Sequence, residues 1–209
     1  GPAPTSLHRT TVLPVPGPIF LAQRFAIDWI SVDTDGRAFK GKGLSNTDYD
    51  CYGKDLIAVA DGTIVETRAD LPENTPGAGL AVEITKDTVT GNHVVLQIAD
   101  NLYVLYAHMI PGSIKLKVGD KVKKGDVLGT LGNSGNSGAP HLHLHVSNKK
   151  DPVLSEGVAY VFESFKTLGS NPSSEALLSG GDVFNFNVFE KNESTRTKEL
   201  PLQGWIVKF

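Results

Sequence analysis

Along most of this chain, apolar residues come in short runs that alternate with polar ones, the period of a strand rather than of a helix. Phe25 to Val32 (FAIDWISV) is apolar and aromatic with β-branched members, and predicts a strand. From Leu56 the texture repeats. IAVADGTIVETRAD sets an Asp61-Gly62 turn between two apolar stretches, and Leu80 to Ile84 alternates within GLAVEITK. GNHVVLQIAD and NLYVLYAHM read as two further strands around a polar turn at Ala99 to Asn101. KLKVGDKVKKGDVLGTLG and the stretch Pro140 to Val146 (PHLHLHV) complete the series. Many short strands joined by Gly-Asp turns predict an all-β domain, not a βαβ chain.

The segments between and around these strands set the expected organisation. Residues 1–20 carry Pro2, Pro4, Pro14, Pro16 and Pro18, which suits an extended N-terminal arm. Asp33 to Asp50 is polar and reads as a surface excursion. Val118 to Val122 and Lys124 to Leu128 repeat a Gly-Asp turn before an apolar position, so Gly119 and Gly125 are expected at positive φ. Gly132 to Gly138 (GNSGNSG) reads as a flexible rim loop beside a cleft; without a lysine, and placed before a strand, it is not a phosphate-binding loop. After Pro152, GVAYVFESFKTLGS fits a strand and turn or a short helix, and the Ser/Gly/Asn-rich stretch from Gly169 to Asp182 reads as a mobile loop. VFNFNVFEKN and the terminal GWIVKF are strand-like, so the tail is expected to pack back on the main domain. The division is an arm at 1–20, a main domain at 21–168 and a C-terminal extension at 169–209.

Composition narrows the partners. The 209 residues carry 20 basic and 23 acidic side chains, a formal net charge of -3, which lacks the cationic excess a nucleic-acid surface needs. Cys51 is the single cysteine, so the fold depends on no internal disulfide and the thiol is expected to be buried. No run of about 20 apolar residues is present, so no integral membrane segment is expected. No signal peptide is visible at Gly1, and the chain is read as a mature or trimmed form.

The chemistry concentrates in one strand. His141, His143 and His145 stand at i, i+2 and i+4 and share a face, and they are half of the six histidines. Imidazoles grouped this way are costly to bury unless hydrogen-bonded or metallated, so metal or acid–base chemistry is indicated without fixing which. Asp28, inside the apolar run FAIDWI, needs a partner: a structural hydrogen bond or a cation. His108 closes NLYVLYAH, where either a catalytic or a bland histidine fits.

His141-Leu142-His143 after a Gly/Ser/Asn loop and Pro140 resembles the motif of the M23 family of zinc endopeptidases, the lysostaphin or LytM-like group. Tyr106-Ala107-His108 resembles its second histidine motif, and DLIAVADGTIV, Gly91 to Val94 and KVGDKVKKGDVLGTLGNSGNS resemble its scaffold, over roughly residues 24 to 147. The resemblance implies a compact antiparallel β-sandwich with a groove and one Zn2+ ion. It implies His143 and Asp28 as metal ligands. His141 and His108 would flank the hydrolytic water as base and transition-state stabiliser, with His141 the proton handler. The implied substrate is a peptidoglycan stem peptide or crossbridge, cut by amide hydrolysis in an extracytoplasmic (periplasmic or secreted) bacterial setting. One position departs. The family has a histidine four residues before its aspartate, and here that residue is Arg24, which has no lone pair to give a metal. His8, on an arm long enough to return to the site, is the preferred third metal ligand, an assignment also implied by resemblance to M23-like sequences with Gln-Arg here and an upstream Ser-x-His-Arg. His145 is placed behind the ligands or along the cleft, and Arg24 either at a substrate carboxylate or paired with Asp33 or Asp35. The alternative is a catalytically inactive M23-like domain that binds cell wall or a partner protein and regulates another wall hydrolase.

Overall fold

A computed structural model describes residues 7–11, 19–170 and 190–209. Its strands are β1 (Ile27–Trp29), β2 (Asp55–Ile57), β3 (Gly62–Arg68), β4 (Asn92–Ala99), β5 (Leu102–Met109), β6 (Lys121–Val122), β7 (Val127–Thr130), β8 (Leu142–Ser147), β9 (Phe162–Ser170), β10 (Glu190–Glu199) and β11 (Trp205–Lys208). One helical turn, α1 (Leu7–Thr10), precedes them. The strands form a six-stranded sheet in the order β1-β8-β5-β4-β3-β6, a three-stranded sheet β10-β9-β11 and a two-stranded sheet β2-β7. Every pairing is antiparallel, so the all-β expectation holds. No described helix is long and apolar enough to cross a membrane.

Alternation along the central strands separates two faces of the large sheet. Val94, Leu96, Val104, Tyr106, Leu144 and Val146 point to one side, where they meet Leu56, Ala58 and Leu128 from the two-stranded sheet in the main core. Ile64 and Leu96 are wholly inaccessible there, and truncating such a side chain to alanine costs about 2–5 kcal/mol. The opposite face carries the smaller cluster Val95, Leu105 and Ala107. His143 and His145 belong to that face, because Ala107 stands opposite His143 and Leu105 opposite His145.

The C-terminal strands buttress the edge of this sheet. Trp29 of β1 meets Phe162 and Phe209 edge-on, at ring centroid distances of 5.8 and 5.5 Å. Phe165 and Trp205 extend the aromatic cluster. The stretch after Pro152 therefore resolves as strand, and β9 crosses the expected boundary at residue 168.

Several local expectations change. The strand predicted over Phe25 to Val32 shrinks to Ile27–Trp29, because only those residues face β8 and the chain before them closes a turn, with the Arg24 N–H on the Leu21 carbonyl. Leu80 to Ile84 is not a strand: the segment pairs with none of the sheets, and Leu80 stays half-exposed. Asp61-Gly62 follows a bend between β2 and β3, and those strands pair elsewhere, β2 with β7 and β3 with β4 and β6. Within the arm, Leu7–Thr10 is helical rather than extended, over a stretch that holds none of its prolines. Gly119 and Gly125 take φ of 99° and 94°, as their turns require. Cys51 is buried and donates to the Pro140 carbonyl. Residues 1–6 and 12–18 of the arm, 171–182 of the expected loop and 183–189 of VFNFNVFEKN lie outside the described residues.

Candidate metal centre

Strand pairing builds the centre. In the β1–β8 ladder Asp28 lies opposite His143, and its Oδ1 accepts from His143 Nδ1 at 2.9 Å. Helix α1 brings His8 to the same carboxylate, its Nε2 3.3 Å from Oδ2. One donor atom each from His8, Asp28 and His143 fall within 4.8 Å of one another. Two imidazole nitrogens and a carboxylate oxygen are the donor chemistry that zinc takes, and the set leaves room for a fourth partner as a catalytic site requires. The residues present therefore fit the ion.

The electrostatics agree with a cation site. Burial by itself would raise the Asp28 carboxyl, but the neighbouring His141 and the hydrogen bonds from His143 and His8 outweigh it and hold the group well below the usual carboxylate range. Burial pushes His143 down despite the Asp28 hydrogen bond. Both shifts leave the metal-binding forms, carboxylate and neutral imidazole, at neutral pH.

Two further imidazoles flank the cluster. The rings of His108 and His141 lie tilted at 47° with centroids 4.6 Å apart, and His108 lies 5.9 Å from the His143 ring. His108 donates its Nδ1–H to the Ser134 carbonyl at 2.7 Å, and His141 donates Nδ1–H to the Ala139 carbonyl at 2.9 Å. Carbonyls only accept, so both rings carry their proton on Nδ1 and present Nε2 to the centre. His141 Nε2 lies 3.6 Å from Asp28 Oδ1. Burial first, then the neighbouring His141 and His143, push His108 well below the ordinary histidine range. The backbone of His108 sits at φ 65°, a strained value for a non-glycine residue of the kind that clusters at working sites.

The loop read as a flexible rim proves to be the support for these rings. Asn133, Ser134 and Ser137 are buried. The Ser134 hydroxyl donates to the Met109 carbonyl at 2.8 Å and accepts the Asn92 N–H at 2.9 Å, which fixes the carbonyl that holds His108. Glu73 accepts the Asn133 N–H at 2.9 Å, and Asn74 donates to the carbonyls of Gly135 and Ser137, both at 2.8 Å. The loop's composition signals a turn, but not that the Asn133 N–H, the Gly135 and Ser137 carbonyls and the Ser134 hydroxyl are met from inside. Ser134, Asn92 and Asn74 carry no sequence pattern that marks them as supports.

The remaining expected residues fall as follows. His145 is almost wholly buried behind His143, with its Nδ1 3.0 Å from His143 Nε2. Arg24 lies in the turn before β1, and among the described residues no ion pair joins it to Asp33 or Asp35; Asp35 pairs with Arg37 instead. On the β3–β4 side a groove of ≈ 650 Å³ is lined by Glu66, Arg68, Lys86, His93 and Asp151 among others, and the histidine cluster lies outside it.

Comparison with known proteins places this arrangement. Residues 45–155 match the family described as Peptidase family M23. That span includes His108, His141, His143 and His145 but begins after His8, Arg24 and Asp28. The chain is 32% identical over 97 residues to peptidoglycan DD-endopeptidase ShyA of Vibrio cholerae, covering 46% of this chain and 22% of the relative. It is 33% identical over 107 residues to endolysin 2638A of Staphylococcus phage 2638A, covering 48% of this chain and 18% of that one. The chain thus spans about a fifth of the length of these relatives. Among solved structures, the antimicrobial peptidase lysostaphin from Staphylococcus simulans aligns at 24% identity and TM-score 0.40, over 72% of this chain and 48% of that one. With more than half of its length matched, the chain belongs to peptidase family M23.

Proposed function

We propose that this chain is a zinc-dependent endopeptidase that hydrolyses peptide bonds in peptidoglycan stem peptides or crossbridges outside the cytoplasm. The observation that carries the reading is the convergence of His8, Asp28 and His143 beside the paired rings of His108 and His141. Relatives named as a peptidoglycan endopeptidase and a phage endolysin support the substrate class.

Bound there, zinc supplies Lewis acidity, polarising the scissile carbonyl and lowering the pKa of the attacking water. His8, Asp28 and His143 hold the ion. His108, kept neutral by burial and with its Nδ1–H tied to Ser134, offers the lone pair of Nε2 as general base. His141 has Asp28 near its Nε2, so its cation has a counter-charge; once protonated, it donates to the developing oxyanion or the leaving amine. This exchanges the roles that the family resemblance implies for the two rings. Among the described residues the ion pairs of Asp28 are with His8, His141 and His143 and none is with Arg24, and His8 takes the place of the missing histidine.

The test combines metal content with digestion of purified peptidoglycan. Zinc near one equivalent and release of peptide ends that disappears on chelation are the expected results. A metal-free protein under zinc-replete conditions overturns the reading and favours the non-catalytic wall-binding domain to which Arg24 points.

A further inference from the structure

We infer that His145 is the positioning residue of the metal centre: it acts through a bond between neutral imidazoles that dictates which nitrogen of His143 is free for the ion, and both rings switch tautomer when metal is loaded. The inference rests on the metal reading above. The observations are the 3.0 Å contact between His143 Nε2 and His145 Nδ1, the 2.9 Å contact between His143 Nδ1 and Asp28, and the isolation of the far end of the chain. His145 is 1% exposed, and its Nε2 is buried with no hydrogen-bond partner among the described residues. Its cross-strand neighbour is Leu105, which can offer none.

Without metal, the ionised Asp28 only accepts, so His143 carries its proton on Nδ1. Its Nε2 is then a lone pair and accepts from His145 Nδ1–H, leaving His145 Nε2 as a bare acceptor. With metal, the Nδ1 lone pair of His143 is used by the ion, so its proton stands on Nε2. That proton now donates to His145 Nδ1, and the proton of His145 stands on Nε2. The accounting balances. One proton crosses the 3.0 Å bond from His145 to His143, one leaves His143 Nδ1 for solvent, and one arrives at His145 Nε2. Each ring carries one proton before and after in this accounting. A ligating histidine is commonly oriented by an acceptor on its other nitrogen. Here the acceptor is itself an imidazole whose second nitrogen is buried without a partner among the described residues, so the loaded state carries an N–H that none of them accepts.

The experiment follows the full chain with 15N-labelled histidine by long-range 1H–15N spectroscopy, before and after zinc addition. The expected result is Nδ1–H on both His143 and His145 without metal and Nε2–H on both with it. Three variants locate the effect. His145→Asn keeps an oxygen acceptor at the Nδ1 position and is expected to hold zinc within a few-fold of the parent in chelator competition. His145→Gln moves the acceptor to the Nε2 position, and His145→Leu removes it; both are expected to weaken binding about 10–100-fold. If the leucine variant does not fold, the asparagine–glutamine pair and the parent spectra still decide. Zinc uptake with the His145 tautomer unchanged, or equal affinity in the Asn and Gln variants, overturns this inference alone. A parent protein that takes up no zinc overturns the metal reading and this inference with it.

Discussion

Asp28 lies directly opposite His143 across the β1–β8 ladder, and the pairing sets carboxylate and imidazole 2.9 Å apart although 115 residues separate them in the chain. The carboxylate supplies the negative charge of the centre and is also within reach of His8 and His141. Asp28→Asn keeps the shape and removes the charge. Zinc retained after dialysis is expected to fall well below one equivalent, with far-UV circular dichroism unchanged. Full zinc retention would remove Asp28 from the ligand set.

His8 contributes from a single helical turn outside the sheets. His8→Ala is expected to weaken zinc binding by no less than the about 10–100-fold that loss of a supporting contact costs. The thermal midpoint of the metal-free protein should stay put, because the side chain is no part of the hydrophobic core. Chelator competition and thermal unfolding on the same samples check both halves.

Under the proposed function, the paired rings of His108 and His141 serve catalysis and not metal binding. Alanine at either position is expected to lower peptide hydrolysis about 10²–10⁴-fold, the contribution of a positioned acid or base. Zinc content should remain near the parent value in both variants, whereas His143→Ala loses metal and activity together.

Gly91 tests the support of His108. It sits at φ 61°, and a Cβ there would collide with the Ser134 carbonyl oxygen, the atom that accepts from His108. Gly91→Ala combines left-handed backbone strain with overpacking, together about 2–5 kcal/mol of lost stability. Denaturant unfolding measures it, and an unchanged midpoint would mean that the loop yields freely.

Acid should destabilise the metal-free protein early. His108, His143 and His145 all have folded-state pKa values pushed below the ordinary range by burial. The unfolded chain therefore binds more protons once pH drops below about 6.5. The stability these neutral rings contribute is complete above that pH and is lost as pH falls towards the depressed folded values. The slope is about 1.4 kcal/mol per pH unit for each extra proton bound by the unfolded state. Asp28 acts in the same direction, but only below its unfolded value of about 3.9. Unfolding free energies measured between pH 7.5 and 5 check the slope; a flat profile would contradict the burial of neutral rings.

Much of the architecture was legible without coordinates. Period-two alternation in GNHVVLQIAD, NLYVLYAHM and PHLHLHV predicts strands whose two faces differ, and the same period puts His143 and His145 on one face. Gly119 and Gly125 announce their turns because few other residues tolerate positive φ. Where alternation misled, as at Leu80 to Ile84, the local pattern was right for a strand but the segment buries no apolar face, Leu80 being 47% exposed.

What the sequence by itself determined is the set of local propensities and the residue types of the centre: three alternating imidazoles, a carboxylate in an apolar run, and an arginine where a ligand was due. The tertiary structure decided which of them meet. Asp28 meets His143 through a strand pairing, His8 returns from outside the sheets, and GNSGNSG becomes a buried support because Glu73, Asn74 and Asn92 satisfy it from elsewhere. His145 finds His143 at its Nδ1 and, among the described residues, no hydrogen-bond partner at its Nε2. The reason is physical: strand alternation depends on neighbours two residues apart, whereas hydrogen-bond partners and burial are set by segments distant in the chain, which only the packed fold brings together.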